Sequence, residues 1–406
     1  MKLRKLSQLA LASGIGLAVA ATLTACQLVT VDYVFLAGSS GKTTSGGAIQ
    51  TFAVDSQSGA LRFVNNSEDA PVDTGGSAPV SMVVDGSYDN LYVANQGNNS
   101  VVHFTIETDG TLTKADSITL DDTPVSIAVT ANGSALFVAY GSKSASLAEY
   151  SLSSGKIGSL VGTESLTIPG YPGDTVLPTA VTTLANSAAV FVTVYDQSAY
   201  NPGLPITSTA NPGWVFGFSV GSSGGLTMAG SSPWLAGVKP TALAADPANR
   251  FVYITDYASN QMIGFGITSG STLNYLISGP YKTGNQPSAV AIDPRGKYIY
   301  VANALDSTVS SYAINLANGV PSAAISTTGS SANSTDTQPN ALVVEPAEAR
   351  YVYSANTLGN SVSGFRLNVN TGVLVTTQAT PYPAEQKPTA IAAVPHGNHS
   401  SQVVVQ

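Results

Sequence analysis

The amino-acid sequence predicts an all-β chain folded as a seven-bladed β-propeller with four-stranded antiparallel blades. The first observation is a phrase that repeats seven times: a proline opens a short apolar segment, a turn follows, and a second segment carries an aromatic residue. A repeat of roughly 40–50 residues with several strands per unit is typical of propeller blades. The second observation is that the two ends of the chain each supply part of one repeat. The repeats start at Pro79, Pro124, Pro178, Pro240, Pro287, Pro339 and Pro388.

Each repeat is predicted to contain four strands. The apolar run after the proline, such as 242–245, does not alternate in polarity, so we expect an innermost strand that is buried on both faces. The third segment alternates, as in 361–367, and the fourth is short and follows a turn such as 108–110. The second strand carries the aromatic residue, which we expect to pack between blades: Tyr92, Phe137, Phe191, Tyr253, Tyr300 and Tyr353.

The termini are predicted to build one blade together. Residues 33–37 match a second strand, 47–54 a third and 60–64 a fourth, whereas the missing innermost strand appears at 388–394. Such a blade closes the ring and removes open sheet edges. Residues 402–405 have the composition of one more strand, for which the pattern gives no place.

Two insertions interrupt the repeat, at 155–177 and 196–213. In a propeller, the connection between blades and the connection between second and third strands open on the same face. We therefore expect both insertions on that face, beside the blade that starts at Pro178. Long loops on a rigid scaffold often carry function.

The N-terminus has the pattern of an export signal. Lys2, Arg4 and Lys5 precede a largely apolar run, 9–23, that is too short and too rich in Ala and Gly to predict a membrane span. Residues 1–25 are therefore predicted to be a signal peptide.

The segment at 23–26, Leu-Thr-Ala-Cys, resembles the lipobox of bacterial lipoproteins. The resemblance implies cleavage before Cys26, lipidation of that cysteine, a short linker over 26–31 and a propeller over 32–406. The alternative is an ordinary signal peptide followed by a chance cysteine. Cys26 is the only cysteine, so no intramolecular disulfide can form. Gln27 is not the Asp that holds lipoproteins at the inner membrane in the enterobacterial sorting rule, which favours the outer membrane.

Charge excludes some partners. Without residues 1–25 the chain has 13 Lys and Arg against 24 Asp and Glu, a net charge of −11. Such a surface disfavours nucleic acid and anionic lipid headgroups. Charged residues form only 10% of the chain, against about 25% in typical domains.

Tyr-Val-Ala-Asn at 92–95 and 300–303, with Asp-Pro-Arg-Gly at 293–296, resembles the YVTN or lactonase-like family of seven-bladed propellers. The family includes 6-phosphogluconolactonases, which hydrolyse a sugar lactone, and surface proteins of unassigned role. The motif residues themselves have a structural interpretation: an acid before proline starts a turn, and a strand-ending Asn binds the loop backbone. The turn starters are Asp246, Asp293 and Glu345.

The resemblance to phosphogluconolactonases implies an Arg-His pair directly after the proline of an innermost strand, at the channel mouth. This chain has instead Thr241-Ala242, Ser288-Ala289, Asn340-Ala341 and Thr389-Ala390. His103 is predicted to lie in a third strand, away from the channel. The other histidines and three arginines are predicted in turns on the opposite face: His396, His399, Arg250, Arg295 and Arg350.

The mouth is predicted to carry a ring of polar groups, which is either a solvated rim or a shallow carbohydrate or peptide site. Tyr195, Tyr200 and Trp214 are candidate stacking surfaces beside the insertions, and Lys239 is placed to pair with Asp256. The full set of ligand-binding candidates is Asn95, Tyr140, Tyr195, Tyr200, Trp214, Lys239, Asp256, Gln286, Asn303, Gln338, Asn356 and Lys387.

The function that the sequence favours is a lipid-anchored, extracytoplasmic binding or interaction module of the cell envelope. The alternative is a lactonase-like hydrolase with an altered site. We expect a monomer held to the membrane by its lipid, with a carbohydrate, peptide or envelope-protein partner. No motif for a metal or another cofactor is present in the sequence.

Overall fold

The computed structural model describes residues 29–142, 144–169, 176–197, 213–222, 224–325 and 332–397. This part of the chain contains strands and no α-helix, so it has no helix long and apolar enough to cross a membrane. The strands form seven sheets arranged as the blades of a β-propeller. The predicted fold class is confirmed. The segments predicted at 1–25 and 402–405 lie outside the described residues.

We number the blades 1 to 7 and call blade 1 the one built from both ends of the chain. The innermost strands, from blade 1 to blade 7, are Gln386–Pro395, Pro79–Val84, Pro124–Val129, Val176–Thr183, Pro240–Ala245, Pro287–Ile292 and Pro339–Val344. The second strands are Thr30–Ser39, Asn90–Asn95, Ala135–Tyr140, Ala189–Asp196, Phe251–Asp256, Tyr298–Asn303 and Tyr351–Asn356. The third strands are Gly47–Asp55, Ser100–Ile106, Ser146–Ser153, Gly213–Val220, Gln261–Ser269, Thr308–Ala313 and Ser361–Leu367.

The fourth strands vary most in length. They are Leu61–Phe63, Leu112–Thr119, Lys156–Ser165, Leu226–Met228, Thr272–Tyr275, Asn333–Ser334 and Leu374–Thr376. In blades 1, 4, 5 and 7 a further two-residue strand pairs with the third strand: Val72–Asp73, Trp234–Leu235, Tyr281–Lys282 and Tyr382–Pro383. The segment predicted as an insertion at 155–177 therefore contains the ten-residue fourth strand of blade 3, Lys156–Ser165. That part of the prediction was wrong, because a long outer strand lengthens the repeat as much as a loop does.

Ring closure by the termini is confirmed. The strand Gln386–Pro395 pairs antiparallel with Thr30–Ser39, from Asp32 opposite Pro395 to Ser39 opposite Gln386. Each innermost strand also lies against the innermost strands of its two neighbouring blades, all the way round the ring. Every innermost strand therefore has another innermost strand on each side of it.

Burial differs from the prediction for the innermost strands. In blades 2, 5, 6 and 7 these strands are mostly half-buried. The strands buried on both faces are the second ones: in blades 2, 3, 5, 6 and 7 every residue of the second strand is buried. The physical reason is that one side of an innermost strand borders the centre of the ring. Its small apolar residues suit a narrow channel wall as well as a core.

The aromatic residues of the second strands do pack between blades. Tyr92 donates a hydrogen bond to the Gly155 carbonyl of blade 3, at 2.5 Å. Tyr253 and Tyr353 make the same bond to a turn glycine of the following blade, Gly319 at 2.6 Å and Gly59 at 2.8 Å. Each tyrosine thus joins its blade to the next one.

The turns between innermost and second strands lie at the end of the ring opposite the prolines. Arg250 makes a two-point contact with Asp246, at 2.8 and 2.9 Å. Arg295 binds Asp293 at 2.8 Å and reaches the Ala349 carbonyl of blade 7 at 2.6 Å. Both carboxylates are fully buried. The predicted turn-starting role is confirmed, and these guanidinium groups stabilise the face opposite the mouth.

Candidate functional site

The mouth is the end of the ring at which the prolines open the innermost strands. In blades 2, 5, 6 and 7 the proline stands opposite the last residue of the neighbouring second strand: Pro79 with Asn95, Pro240 with Asp256, Pro287 with Asn303, and Pro339 with Asn356. The four strand-ending candidates Asn95, Asp256, Asn303 and Asn356 therefore lie at the mouth. The side-chain environments of the candidate residues separate them into three groups.

The side chains of the strand-ending asparagines form hydrogen bonds with neighbouring residues of the propeller. Asn303 accepts a hydrogen bond from the Gly284 N–H at 3.0 Å, and its amide donates to Thr308 and Ser310, each at 3.0 Å. Asn356 donates to Ser361 and Ser363 at 3.0 and 2.9 Å.

Asn95 donates to the Thr74 carbonyl at 3.2 Å. All three asparagine side chains have no exposed surface. The predicted bond to the loop backbone is present for Asn95 and Asn303, whereas Asn356 binds serine hydroxyls. All three must be corrected as ligand-contact candidates because a ligand cannot reach them.

Asp256 occupies the same place in blade 5. Its carboxylate accepts hydrogen bonds from the backbone of Val238 at 3.0 Å and of Lys239 at 2.9 Å, and from Gln261 Nε2 at 3.0 Å. Gly237 has a φ of +88° and packs so closely that a Cβ atom would lie 2.2 Å from Asp256 Oδ2. The loop 237–239 therefore wraps around a fully buried carboxylate. Asp256 too is corrected as a ligand contact, and what it binds of Lys239 is the backbone N–H.

The Lys239 ammonium lies between two aromatic rings. Its Nζ atom is 5.3 Å from the ring centre of Tyr195 in blade 4 and 5.1 Å from that of Tyr257 in blade 5. The Tyr257 hydroxyl donates a hydrogen bond to Gln286 Oε1 at 2.7 Å. We call these four residues the Lys239 cluster. Cation–π contacts of this kind stabilise an ammonium without neutralising its charge.

The Lys239 cluster is half-buried. Burial lowers the pKa of the Lys239 amine and raises the pKa of the Tyr195 and Tyr257 hydroxyls. Sequence reasoning missed Tyr257. A signal was present, because it directly follows Asp256, where blades 6 and 7 have the small residues Ala304 and Thr357.

The residues directly after the prolines tie the blades together. Thr241 donates to the Pro287 carbonyl at 2.8 Å, and Ser288 donates to the Pro339 carbonyl at 2.6 Å. Thr389 donates to the Pro79 carbonyl at 2.6 Å.

Asn340 completes the series through Thr357. It donates to the Thr357 hydroxyl at 2.9 Å, which in turn donates to the Pro388 carbonyl at 2.7 Å. The Arg-His pair of the resemblance is expected directly after a proline. In blades 5, 6, 7 and 1 the residues at this position instead link each innermost strand to that of the next blade.

The remaining candidates fall outside the Lys239 cluster. Gln338 is half-buried and Lys387 is exposed, each directly before its proline. Tyr140 is buried and shares a hydrogen bond of 2.7 Å with the Tyr150 hydroxyl. Trp214 is buried in the core between blades 3 and 4. Trp214 was wrongly predicted as a stacking surface, because the side chains of this strand alternate between two cores and Trp214 enters the one shared with blade 3. Tyr200 lies outside the described residues.

The described histidines lie away from the mouth, as predicted. His103 is buried in the third strand of blade 2, where its ring nitrogens face Asp116 at 3.2 Å and Asn90 at 2.8 Å. His396 follows the last innermost strand on the opposite face, with its ring 5.4 Å from that of Tyr33. His399 is outside the described residues. In the described part of the chain, no group of three or more His, Cys, Asp or Glu residues is arranged to hold a metal ion.

Comparison with known proteins now decides the family. A family model described as "Lactonase, 7-bladed beta-propeller" matches residues 45–171 and 267–393, which together are more than half of the chain. The chain belongs to this lactonase family. No curated protein sequence matches it.

Solved structures of the same fold include proteins that are named as lactonases. One is a putative 6-phosphogluconolactonase from Bacteroides fragilis, with a TM-score of 0.69, 16% identity, and coverage of 90% of this chain and 98% of that one. Another is a periplasmic gluconolactonase from Pseudomonas aeruginosa, with a TM-score of 0.69, 17% identity, and coverage of 90% and 99%. A protein from Lactobacillus plantarum has a TM-score of 0.68, 15% identity, and coverage of 90% and 99%. At these identities the likeness shows the fold alone.

Proposed function

We propose that this lactonase-family propeller is a lipid-anchored binding module of the cell envelope, with its ligand site at the mouth. The observation that carries the proposal is the use of Thr241, Ser288 and Thr389 as bonds between blades. Lactone hydrolysis needs a general base for water and a donor or cation for the developing oxyanion. The described mouth offers polar and aromatic groups around the Lys239 ammonium, which suits recognition.

The second candidate function is a lactonase-like hydrolase. Membership of the lactonase family and the name of the Pseudomonas aeruginosa relative favour it. Lys239 would be the positive group of such a site, since it is the cation of the described cluster. The two candidates differ in one measurable respect: only a hydrolase consumes its ligand.

The envelope location rests on residues 23–26, which resemble a lipobox. We expect Cys26→Ser to release the protein from membranes, because acyl chains on this cysteine supply the anchor. Cell fractionation followed by carbonate washing measures the change. Gln27→Ser is the matched control and should remain in the membrane fraction. Retention of the Cys26→Ser protein with washed membranes would place the anchor elsewhere.

The binding function is tested on the soluble form that lacks residues 1–26. Calorimetric titration with neutral oligosaccharides, short peptides and sugar acids should show binding that is lost when 196–213 is replaced by a short Gly-Ser turn. The segment connects two paired strands whose facing ends, Tyr195 and Gly213, lie at the mouth, and its residues 198–212 are outside the described residues. Lys156→Ala, on the exposed outer strand of blade 3, is the control and should bind like the wild type. Binding that survives the loop replacement would move the site away from this part of the mouth.

A further inference from the structure

The end of the ring opposite the mouth carries the arginines. Every arginine that follows residue 26 lies at this end: Arg62, Arg250, Arg295, Arg350 and Arg366. Arg250 and Arg295 are bound to buried aspartates, whereas the other three are exposed. The net charge of −11, which disfavours anionic lipid for the surface as a whole, is therefore unevenly distributed.

The chain enters the propeller at the same end. Thr30 begins the second strand of blade 1 opposite Asp55, and the Val29 carbonyl accepts a hydrogen bond from the Ser56 N–H at 2.9 Å. The three residues from Cys26 to Val29 span at most about 11 Å. A lipid on Cys26 would hold this end of the ring beside the bilayer, with the mouth at the far end.

The exposed arginines lie around the chain entry. Arg62 donates a hydrogen bond to Thr30 Oγ1 at 2.7 Å. On the other side of the entry, the Ser56 carbonyl accepts a hydrogen bond from the Tyr351 hydroxyl of blade 7 at 3.0 Å. Tyr351 stands directly opposite Arg366 in the neighbouring strand. A continuous series of contacts thus connects the entry with the arginines of blade 7.

Arg350 and Arg366 line one cavity of about 420 Å³ in blade 7. Arg350 forms an ion pair with Glu348 at 3.2 Å, whereas the Arg366 side chain has no hydrogen-bond or ion-pair partner within the described ranges. Two guanidinium groups beside one carboxylate leave a net positive charge. Because guanidinium forks match the geometry of phosphate oxygens, this cavity is suited to a phosphate group.

Acidic side chains at the same end lie on the other side of the entry. Asp89, Glu107 and Asp109 are exposed residues of blade 2, whereas Arg350 and Arg366 belong to blade 7. Blade 1, which holds the entry, lies between those two blades. The surface that attracts an anion therefore covers blades 7 and 1.

Two exposed valines favour a membrane over a free anion. Val375 lines the arginine cavity and Val29 lies at the entry, and each is 59% exposed. A free phosphate would leave these side chains in water. A bilayer surface would cover them, and burial of apolar area is favourable.

We propose that Arg62, Arg350 and Arg366 dock this end of the propeller on the phosphate groups of an anionic phospholipid surface, so that the mouth faces away from the bilayer. The inference rests on the lipid anchor of the proposed function and adds the orientation of the protein to it. The anchor supplies the attachment, and the arginines select which end of the ring meets the headgroups.

The test attaches the soluble form lacking residues 1–26 to vesicles through an N-terminal hexahistidine tag and a nickel-chelating lipid. This places the attachment near the natural entry, whether or not Cys26 is lipidated. The soluble form has no cysteine, so a cysteine introduced at Asn370 or Gln96 carries the only fluorophore. Asn370 is exposed in the turn beside the arginine cavity, and Gln96 is exposed at the mouth. On vesicles of phosphatidylcholine and phosphatidylglycerol, headgroup-linked nitroxides should quench the fluorophore at 370 and spare the one at 96.

Removal of the arginines should abolish this difference. Arg350→Gln with Arg366→Gln should lower the ratio of docked to undocked protein about thirtyfold, the effect expected of two arginines at an anionic surface. Lys114→Gln with Lys282→Gln removes the same charge from exposed positions elsewhere and is the matched control, which should keep the quenching. High salt should weaken the docking, because it screens the attraction.

The outcomes separate this inference from the proposed anchor. Equal quenching at the two positions, stronger quenching at 96, or equal losses in the two double variants overturns the docking surface. Inorganic phosphate binding that is lost in Arg350→Gln with Arg366→Gln, while the quenching stays unchanged, assigns the cavity to a free anion and also overturns it. Retention of Cys26→Ser with washed membranes refutes only the anchor, since the tagged form still docks through its arginines.

Discussion

Removal of residues 386–406 should unfold the protein. These residues include the strand Gln386–Pro395, the innermost strand of blade 1. Its side chains enter two separate cores: Ile391 packs with residues of blade 7, and Val394 packs with residues of blade 2. Burial of one such side chain contributes about 1.5–3 kcal/mol, and the truncation also exposes its partners across both cores. The loss should exceed the total stability of a typical domain, about 5–15 kcal/mol.

Far-ultraviolet circular dichroism during heating measures this effect. We expect no cooperative transition in the truncated protein. A synthetic peptide of residues 386–397, added in excess, is the control and should restore the β-sheet signal, since it supplies the missing strand. A truncated protein that melts at the wild-type temperature would show that the ring does not depend on this strand.

A second large effect is expected at the seam between blades 7 and 1, where Asp32→Asn should stabilise the protein at alkaline pH. The carboxyl groups of Asp32 and Glu345 lie together, and neither has exposed surface. Asp32 Oδ1 accepts a hydrogen bond from the Ala347 N–H at 3.2 Å, which links the two blades. Burial, and then the neighbouring Glu345, raise the pKa of Asp32 well above its ordinary value. Burial also raises the pKa of Glu345.

The direction of the effect follows from the raised pKa. The folded protein holds the Asp32 proton more tightly than the unfolded chain, so this stabilisation is complete below the ordinary carboxyl pKa and is lost as pH rises through the folded value. Each unit of difference corresponds to about 1.4 kcal/mol. An asparagine keeps the acceptor for Ala347 and cannot ionise. The other ionisable groups that act on this pair are Glu348, Arg350, Tyr88, Tyr351 and Tyr353.

Melting temperatures between pH 4 and pH 9 test this prediction. The Asp32→Asn variant should melt above the wild type at high pH, and the difference should shrink as the pH falls. Asp73→Asn is a matched control of opposite sign. Burial of Asp73 acts against ionisation, but hydrogen bonds from Ser45, Thr44 and Gly75 outweigh it and lower its pKa to about 2. That variant should be less stable than wild type by a constant amount between pH 9 and pH 4, and the deficit should shrink only when the scan is extended below about pH 4. Equal pH profiles for wild type and Asp32→Asn would contradict the seam mechanism.

The repeat predicted the blades well because proline, aromatic and turn residues act locally. It predicted closure because the two end segments are complementary halves of one unit. Burial at the mouth was harder to predict. Asn303 and Gln286 are both polar residues at strand ends, but only the fold shows that one points into the blade and the other towards Tyr257. Trp214 was misplaced for the same reason.

The Lys239 cluster was predictable only in part. Lys239, Tyr195 and Gln286 were each candidates from their positions beside strand ends. Their contact depends on the spacing of three neighbouring blades. Tyr257 also joins the cluster, from a position at which blades 6 and 7 have small residues. No local pattern contains that information, because the contacts cross from one repeat to the next.

The rate at which purified soluble protein hydrolyses 6-phosphogluconolactone tests the central claim most directly. The residues after the prolines join blades through hydrogen bonds, and loss of even one oxyanion donor can lower a rate about 10²–10³-fold. We therefore expect lactone loss at the uncatalysed rate, with and without Lys239→Met. Rapid turnover by the wild type that disappears in Lys239→Met would contradict the binding function and establish the mouth as a hydrolytic site.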